Sequence, residues 1–476
     1  MLKKLNRTTT NLPQARPVKV LQFGAGNFLR GFADWMIDIL NEKTNFNGAI
    51  QVIQSISQGA GSGLADQEGL YHVVVSGIKS GKTFRETRLI TSVAGTINPK
   101  EDFAAFIEIA KNPDLQFVIS NTTEAGISFN EKDSDPGILS SSFPGKVTAL
   151  LFHRYTYFNG STDKGLIFLP CELIEKNGET LKSIILQYAA HWKLTKEFSS
   201  WISDHNTFCN TIVDRIVPGF PKEIIKDIRE ATGYEDNLVV MAEPFYSWII
   251  EAPLFVQSKF PVKLAKLDVQ FANSLVPYRT RKVRILNGAH TTLVPVAYLK
   301  GLRTVRESIE DPSVGNYLRK AIFEEIVPTL DLPPDELRKF ADDVIERFLN
   351  PSIRHELISI SLNSISKFKV RVLPSILRYI EIKHEMPQRL LFSLAALIRF
   401  YKGSWESQTV PLNDTPEVLS FFKAVWLTGR SEDIVQKTLA NKSFWGRDLN
   451  QTHGLYDCVA HHLAYIESHR PYTLPE

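Results

Sequence analysis

Cysteine is scarce in this chain: Cys171, Cys209 and Cys458 are the only three among 476 residues. Three thiols that far apart argue against a disulfide framework, and no Cys-x-x-Cys or His-Glu-x-x-His pair supplies a zinc-ligand pattern, so no metal is expected. Long apolar runs are also missing. No stretch of 18 consecutive apolar residues occurs, so no membrane partner is expected. An excess of one charge is missing as well: 55 Lys and Arg stand against 52 Asp and Glu, a net +3. That balance is too small to point to nucleic acid or to an anionic surface. Met1–Arg7 lacks the apolar core of a secretory signal. These absences lead to the expectation of a cytoplasmic protein in a reducing compartment. None of them sets an oligomeric state.

What is present is enough chain for two or three domains with real cores. Residues 1–17 read as a polar arm ending at Pro17. Val18–Phe23 is a short β-rich apolar run, followed at once by Gly24-Ala25-Gly26-Asn27-Phe28-Leu29-Arg30-Gly31. Phe32, Trp35, Met36, Ile39 and Leu40 then recur at helical spacing. Strand, glycine turn and helix in that order is the setting a dinucleotide-binding motif requires. Gly24 allows the tight turn, and Gly26 lets the backbone approach a pyrophosphate at the helix N-terminus. The expected third glycine is replaced by Leu29, and Gly31 comes two residues late. The cofactor candidates are therefore Phe23, Gly24, Ala25, Gly26, Asn27 and Phe28.

A second strand is expected over 49–56, where an NAD-selective site usually ends in Asp or Glu. Here the end reads Gln54-Ser55-Ile56-Ser57-Gln58-Gly59, without an acid and without a cation for a 2′-phosphate. The missing cation favours NAD. Tyr71 to Ala94 suggests a β-hairpin insertion, and Asp102 to Ala110 a helix. Phe117–Ser120 is a buried strand that leads into Asn121, Thr122, Thr123 and Glu124, at the strand edge where such sheets keep their ligand. Leu166–Pro170 is a further strand, and a helix runs from Asn177-Gly178 through Tyr188. Thr211–Pro218 is compact, with Asp214 and Arg215 at its centre. Val239–Phe245 reads as a late strand continued by Trp248–Ile250. Beyond residue 278 helical periodicity dominates, over 293–299, 314–326, 334–349, 353–365, 387–401, 416–427 and 432–439. The expected organisation is an α/β dinucleotide-binding domain over 1–278 and a helical domain over 279–476.

The helical part begins with Arg281-Lys282-Val283-Arg284-Ile285-Leu286-Asn287-Gly288-Ala289-His290. At about 100° per residue, Asn287 and His290 share a helical face. Lys282 lies about 12 Å from His290 along a continuous α-helix, too far for contact. All three can still reach one small ligand along that face. An amine can act as a base, and an amide and an imidazole N–H can hold a developing negative oxygen. The bland alternative is a basic amphipathic helix start after Pro277.

The motifs Gly24–Arg30, Thr123-Glu124-Ala125-Gly126, Val213–Pro218 and Lys-x-Arg-x-Leu-Asn-x-x-His over 282–290, in that order, resemble the mannitol dehydrogenase family of polyol-specific long-chain dehydrogenases. The resemblance spans nearly the whole chain. It implies a Rossmann-type N-terminal domain, a mostly helical C-terminal domain, NAD as cofactor and hydride transfer without a metal. It also implies Lys282 as general base, with Asn287 and His290 orienting the reacting oxygen, and Asn121, Thr122 and Glu124 beside the cofactor. Lys367 is the implied substrate contact, and Arg284 and Asp214 are further candidates for that role. The mannitol-type enzymes carry an asparagine at the reacting centre where this chain has Leu173. Arg279, Arg281, Arg284, Lys367, Lys369 and Arg371 supply cations, and the flanking Arg281 and Arg284 favour an uncharged amine at Lys282. Together these features lead to the expectation of a sugar acid as substrate, its carboxylate held first of all by Lys367. The rival readings are an enzyme of the same fold acting on a polyol or phosphorylated polyol, and a nucleotide-binding regulator without turnover.

Overall fold

The structure is a computed structural model that describes every residue except 1, 13–15, 55–59, 123–124, 353, 407, 470–472 and 476. The chain forms two compact units, one of residues 1–76 and 83–275, the other of residues 77–82 and 276–476.

The first unit is built on a six-stranded sheet: β1 (Val18–Phe23), β2 (Ala49–Ile53), β3 (Val93–Ile97), β4 (Phe117–Ser120), β5 (Ile167–Pro170) and β6 (Thr207–Phe208). All neighbours run parallel, in the spatial order β3-β2-β1-β4-β5-β6. This 3-2-1-4-5-6 arrangement is the doubly wound dinucleotide fold, whose direction reverses between β1 and β4. Both faces of the sheet are buried, which explains why its strands read as continuous apolar runs. Val20, Ile50, Val52, Phe117 and Ile119 face a core with Phe32, Met36 and Trp248. Leu21, Phe23, Val118 and Phe168 face the other core, with Phe106, Val147 and Leu150.

Several expectations need correction. The apolar segment after Tyr71 is more than a hairpin: Tyr71–Lys79 and Lys82–Ile90 form one sheet with Val240–Ala242, while β3 returns to the main sheet. Val240–Ala242 and Ser247–Glu251 are not one strand. The second belongs to another sheet, with Asn210–Asp214 and Val269–Ala272, and Pro244 lies in the break. The N-terminal arm is partly tied down. Lys3–Lys4 pairs with Tyr234–Glu235, and Arg7 donates to the Val93 carbonyl at 3.0 Å.

The second unit is helical. The Gly288–Leu299 helix is buried over most of its length and packs against Gln388–Phe400, which packs on Leu455–Ser468. A helix buried all round is the centre of its domain, not its surface. The expected helix over 353–365 is broken into Leu357–Ile360 and Ser364–Arg371, with Asn363 in the left-handed conformation between them. Leu373–Lys383 and Leu455–Ser468 are further helices that the periodicity reading did not pick out.

Candidate functional site

In the first unit, the carboxyl ends of β1 and β4 meet at the point where strand order reverses. Gly24 follows β1 at φ +116°, and a β-carbon there would come 3.1 Å from the Asn121 carbonyl oxygen. That left-handed conformation beside a backbone oxygen is what glycine tolerates and other residues do not. The Gly24 amide donates to Ile53 at 3.2 Å, and the Asn121 amide to Phe23 at 3.2 Å, so the turn is tied to both neighbouring strands. Gly26 is exposed and starts the helix without a side-chain cap. A β-carbon on it would meet nothing within 4 Å. An open position at an uncapped helix start suits a phosphate. The dinucleotide's pyrophosphate therefore fits the residues present.

Behind this turn the helix is a π-helix over Arg30–Asp34 before it becomes regular. Gly31 lies within it, and a β-carbon there would come 3.0 Å from Val217 and 3.2 Å from Val240. The late glycine thus does the close-packing job of the motif's third glycine, against a different partner. Phe28 stacks on Phe32 at 4.8 Å, and Asn27 accepts from Arg30 at 2.6 Å. Ala25 is half-buried beside the turn, and Phe23 is wholly buried below it.

Asn121 and Thr122 are held from the next strand's loop. Asn121 Nδ2 donates to the Cys171 carbonyl at 2.8 Å. The buried Glu172 carboxylate accepts from the Thr122 amide at 2.9 Å, the Thr122 hydroxyl at 3.0 Å and the Ser120 hydroxyl at 3.0 Å. Glu172 is a positioning residue that sequence reasoning missed, since its role rests on partners fifty residues away. Glu124 lies outside the described residues, as does the end of the second strand at 55–59. Leu173 is 66% exposed, so this leucine is not there to fill a core. Asp214 ends the Asn210–Asp214 strand, opposite Ser247, and is half-buried. Its neighbour Arg215 is structural: it donates to the Gly31 and Glu243 carbonyls and lies 4.3 Å from the Trp35 ring centroid, and burial pushes its pKa down to about 10.

In the second unit, Val276–Arg281 is α-helical, Lys282–Asn287 is a π-helix, and Gly288–Leu299 is α-helical again. The α-helical angles assumed from sequence therefore fail over this segment. A π-turn hydrogen-bonds residues five apart, so Lys282 and Asn287 come nearly into line along the axis, where a regular helix would have splayed them. Among the described residues the Asn287 side-chain amide has no hydrogen-bond partner, while its backbone carbonyl accepts from the Thr291 hydroxyl at 2.9 Å.

His290 is wedged between Phe348, 4.2 Å between ring centroids, and His355, 5.0 Å. Its Nε2 is buried without a partner among the described residues. Burial foremost, then the charges of His355, Arg347 and Arg371, hold the ring well below the usual histidine range, so it is neutral. The cations beside Lys282 are also constrained. Arg281 is ion-paired to Glu336 at 2.5 Å, and Arg284 donates to the Val370 carbonyl. Lys367 donates to the Ile360 carbonyl at 2.9 Å.

Comparison with known proteins follows the same division. Residues 18–264 match the Mannitol dehydrogenase Rossmann domain, and residues 274–467 the Mannitol dehydrogenase C-terminal domain. The chain belongs to the mannitol dehydrogenase family. It is 46% identical to the altronate oxidoreductase of Bacillus subtilis (strain 168), over 98% of this chain and 96% of that one. It is 45% identical to the altronate oxidoreductase of Phocaeicola vulgatus, over 98% of each. That of Yersinia pestis is 44% identical, over 96% of this chain and 95% of its own. Among solved structures, a substrate-free D-sorbitol dehydrogenase has a TM-score of 0.81 at 23% identity, with 98% of each chain covered. Mannitol 2-dehydrogenase of Pseudomonas fluorescens, solved with NAD and D-mannitol, has a TM-score of 0.65 at 23% identity, over 98% of this chain and 97% of that one. No helix among the described residues is long and apolar enough to cross a membrane.

Proposed function

We propose that this member of the mannitol dehydrogenase family is an NAD-linked oxidoreductase that interconverts D-altronate and D-tagaturonate, with Lys282 as general acid and base. The observation that carries the reading is the π-helix that lines Lys282 up with an uncommitted Asn287 amide, one turn before His290. Full-length similarity to altronate oxidoreductases supports the choice of substrate.

The Gly24–Phe28 turn holds the pyrophosphate through its backbone amides, with Asn121, Thr122 and Glu124 beside the cofactor. When bound, NAD accepts the hydride in oxidation and NADH supplies it in reduction. In oxidation the Lys282 amine takes the hydroxyl proton, and in reduction its ammonium returns it. The Asn287 amide donates to the reacting oxygen as negative charge develops there. His290 Nε2, without a partner among the described residues, bonds a substrate oxygen and so fixes the sugar chain's orientation. Asp214, Arg284 and Lys367 complete the proposed substrate contacts.

The test is the nicotinamide absorbance of a mixture of protein, NADH and D-tagaturonate. Rapid NADH oxidation is expected, with a higher kcat/KM for NADH than for NADPH. Equal turnover of D-fructose would remove the case for a sugar-acid enzyme.

A further inference from the structure

A sugar acid differs from a polyol in its carboxylate, and a carboxylate leaving water needs a cation. Most of the cations that the sequence offers are already committed. Arg281 is ion-paired with Glu336 and lies 4.4 Å from the Phe340 ring centroid. Arg279 carries an interaction of its own. Arg284 donates to the Val370 carbonyl. Lys367 is bonded to the Ile360 carbonyl and feels the charge of Asp414. Lys369 lies beside Gly446, its Cε 3.4 Å from where a β-carbon there would sit.

Arg371 is held more weakly than Arg281, Arg284 or Lys367. It is half-buried at the end of the Ser364–Arg371 helix. Among the described residues its guanidinium makes a single hydrogen bond, a long one of 3.4 Å from Nη1 to Thr291 Oγ1. A guanidinium has five N–H donors in a planar fork that matches a carboxylate, so most of this fork is uncommitted. Among the described residues no acidic side chain pairs with it, and burial holds it below the usual arginine range. Thr291 Oγ1 also donates to the Asn287 carbonyl, and the field of Arg371 reaches His290. Gly288 permits this closeness, since a β-carbon there would come 3.1 Å from the Arg371 carbonyl oxygen. A half-buried cation without an acidic partner among the described residues thus bonds Thr291, which bonds the Asn287 backbone, and its charge is felt at His290.

Resting on the sugar-acid reading above, we propose that Arg371, rather than Lys367, reads the substrate carboxylate, its fork taking both oxygens while Asn287 and His290 take oxygens further along the sugar chain. Arg371 is then a specificity-determining contact.

The test compares wild type, Arg371→Gln, Arg371→Lys and Lys367→Met in steady-state reduction of D-tagaturonate, with NADH affinity by fluorescence and melting temperature measured alongside. The expected result is a KM for tagaturonate raised about 10- to 150-fold in Arg371→Gln, the loss of a charge-assisted contact. NADH affinity and melting temperature should hold, and kcat should fall far less than KM rises. Arg371→Lys keeps the charge but not the fork and should lie between, at least about threefold above wild type. It decides the matter by that criterion if Arg371→Gln does not fold. A wild-type KM in the Arg371 variants, or a loss of kcat and melting temperature with KM unchanged, overturns the proposal. So does a large rise in KM confined to Lys367→Met, which would leave the sugar-acid reading intact. A wild-type enzyme that ignores tagaturonate overturns that reading first, and this inference with it.

Discussion

Glu172 and Thr122 share two hydrogen bonds: one carboxylate oxygen accepts both the Thr122 amide, at 2.9 Å, and the Thr122 hydroxyl, at 3.0 Å. The other oxygen holds Ser120, the last residue of β4. A single buried acid therefore sets the backbone of the loop that follows the strand-order reversal.

Replacing that acid should loosen the loop without touching the proposed proton-transfer groups. Glu172→Gln puts an amide donor where two donors already converge, and a lost bond to a charged group costs about 1.5–3 kcal/mol. The expected outcome is a dissociation constant for NADH raised at least about tenfold, with the pH profile of kcat unchanged. Fluorescence titration with NADH checks it, and wild-type affinity would show that the loop does not serve the cofactor.

Lys282→Ala should lower kcat by about 10²–10⁴-fold, the usual range for a lost general acid or base. Affinity for NADH should hold. Exogenous primary amines should restore part of the rate, because the missing function is a proton carrier. Near-wild-type turnover in the variant would refute the mechanism.

Gly24→Ala tests the turn. A side chain at φ +116° is strained, and its β-carbon would press on the Asn121 carbonyl. The variant should lose about 1–3 kcal/mol of stability, with weaker NADH binding, measured by urea unfolding and by titration. Gly26→Ala is the control for strain, since a methyl group there meets open space in the protein. It should fold normally and weaken NADH binding alone.

Asp34 gives the first unit a pH dependence. Its carboxyl is wholly buried and accepts from the Tyr71 hydroxyl at 2.8 Å, and burial pushes its pKa up to about 7 against the opposing effects of that bond and of Arg30. The folded value lies above that of an unfolded aspartate, so protonation favours the fold. The contribution is fully present below about pH 4 and is lost as pH rises through about 7, a change of about 3–4 kcal/mol. Asp34→Asn removes it. Relative to that variant, wild type should lose stability steadily between pH 5 and pH 8, read from urea midpoints. Parallel curves would mean that Asp34 does not titrate in this range.

The parts of the fold that could be read from sequence are those whose causes are local. β1 and β4 were legible because both faces of the sheet are buried, so the strands are unbroken apolar runs. The glycine turn was legible because its backbone conformation restricts the residue type. The Leu455–Ser468 helix carried a readable pattern in Leu455, Val459, Leu463 and Ile466, but His461 and His462 diluted it. Glu172 could not be read as a positioning group, because nothing near it in sequence names Ser120 or Thr122. The committed state of Lys367 and the open one of Arg371 depend on carbonyls of other turns, which leave no mark on residue type. The π-turn at Lys282–Asn287 likewise has no residue signature, and assuming a regular helix misplaced the lysine.

That π-turn gives the site a dependence on chain length that substitution scanning would never detect, because it holds one residue more than a regular helix does. Removing one residue between Lys282 and Asn287 would let the segment relax into a regular helix in which the two are four apart, about 40° from line and still on one face. Adding one instead would turn every residue before it by about a further 100° around the axis and carry Lys282 off that face. Among related chains, a one-residue gap in this segment is therefore compatible with activity, whereas a one-residue insertion is a sign of its loss.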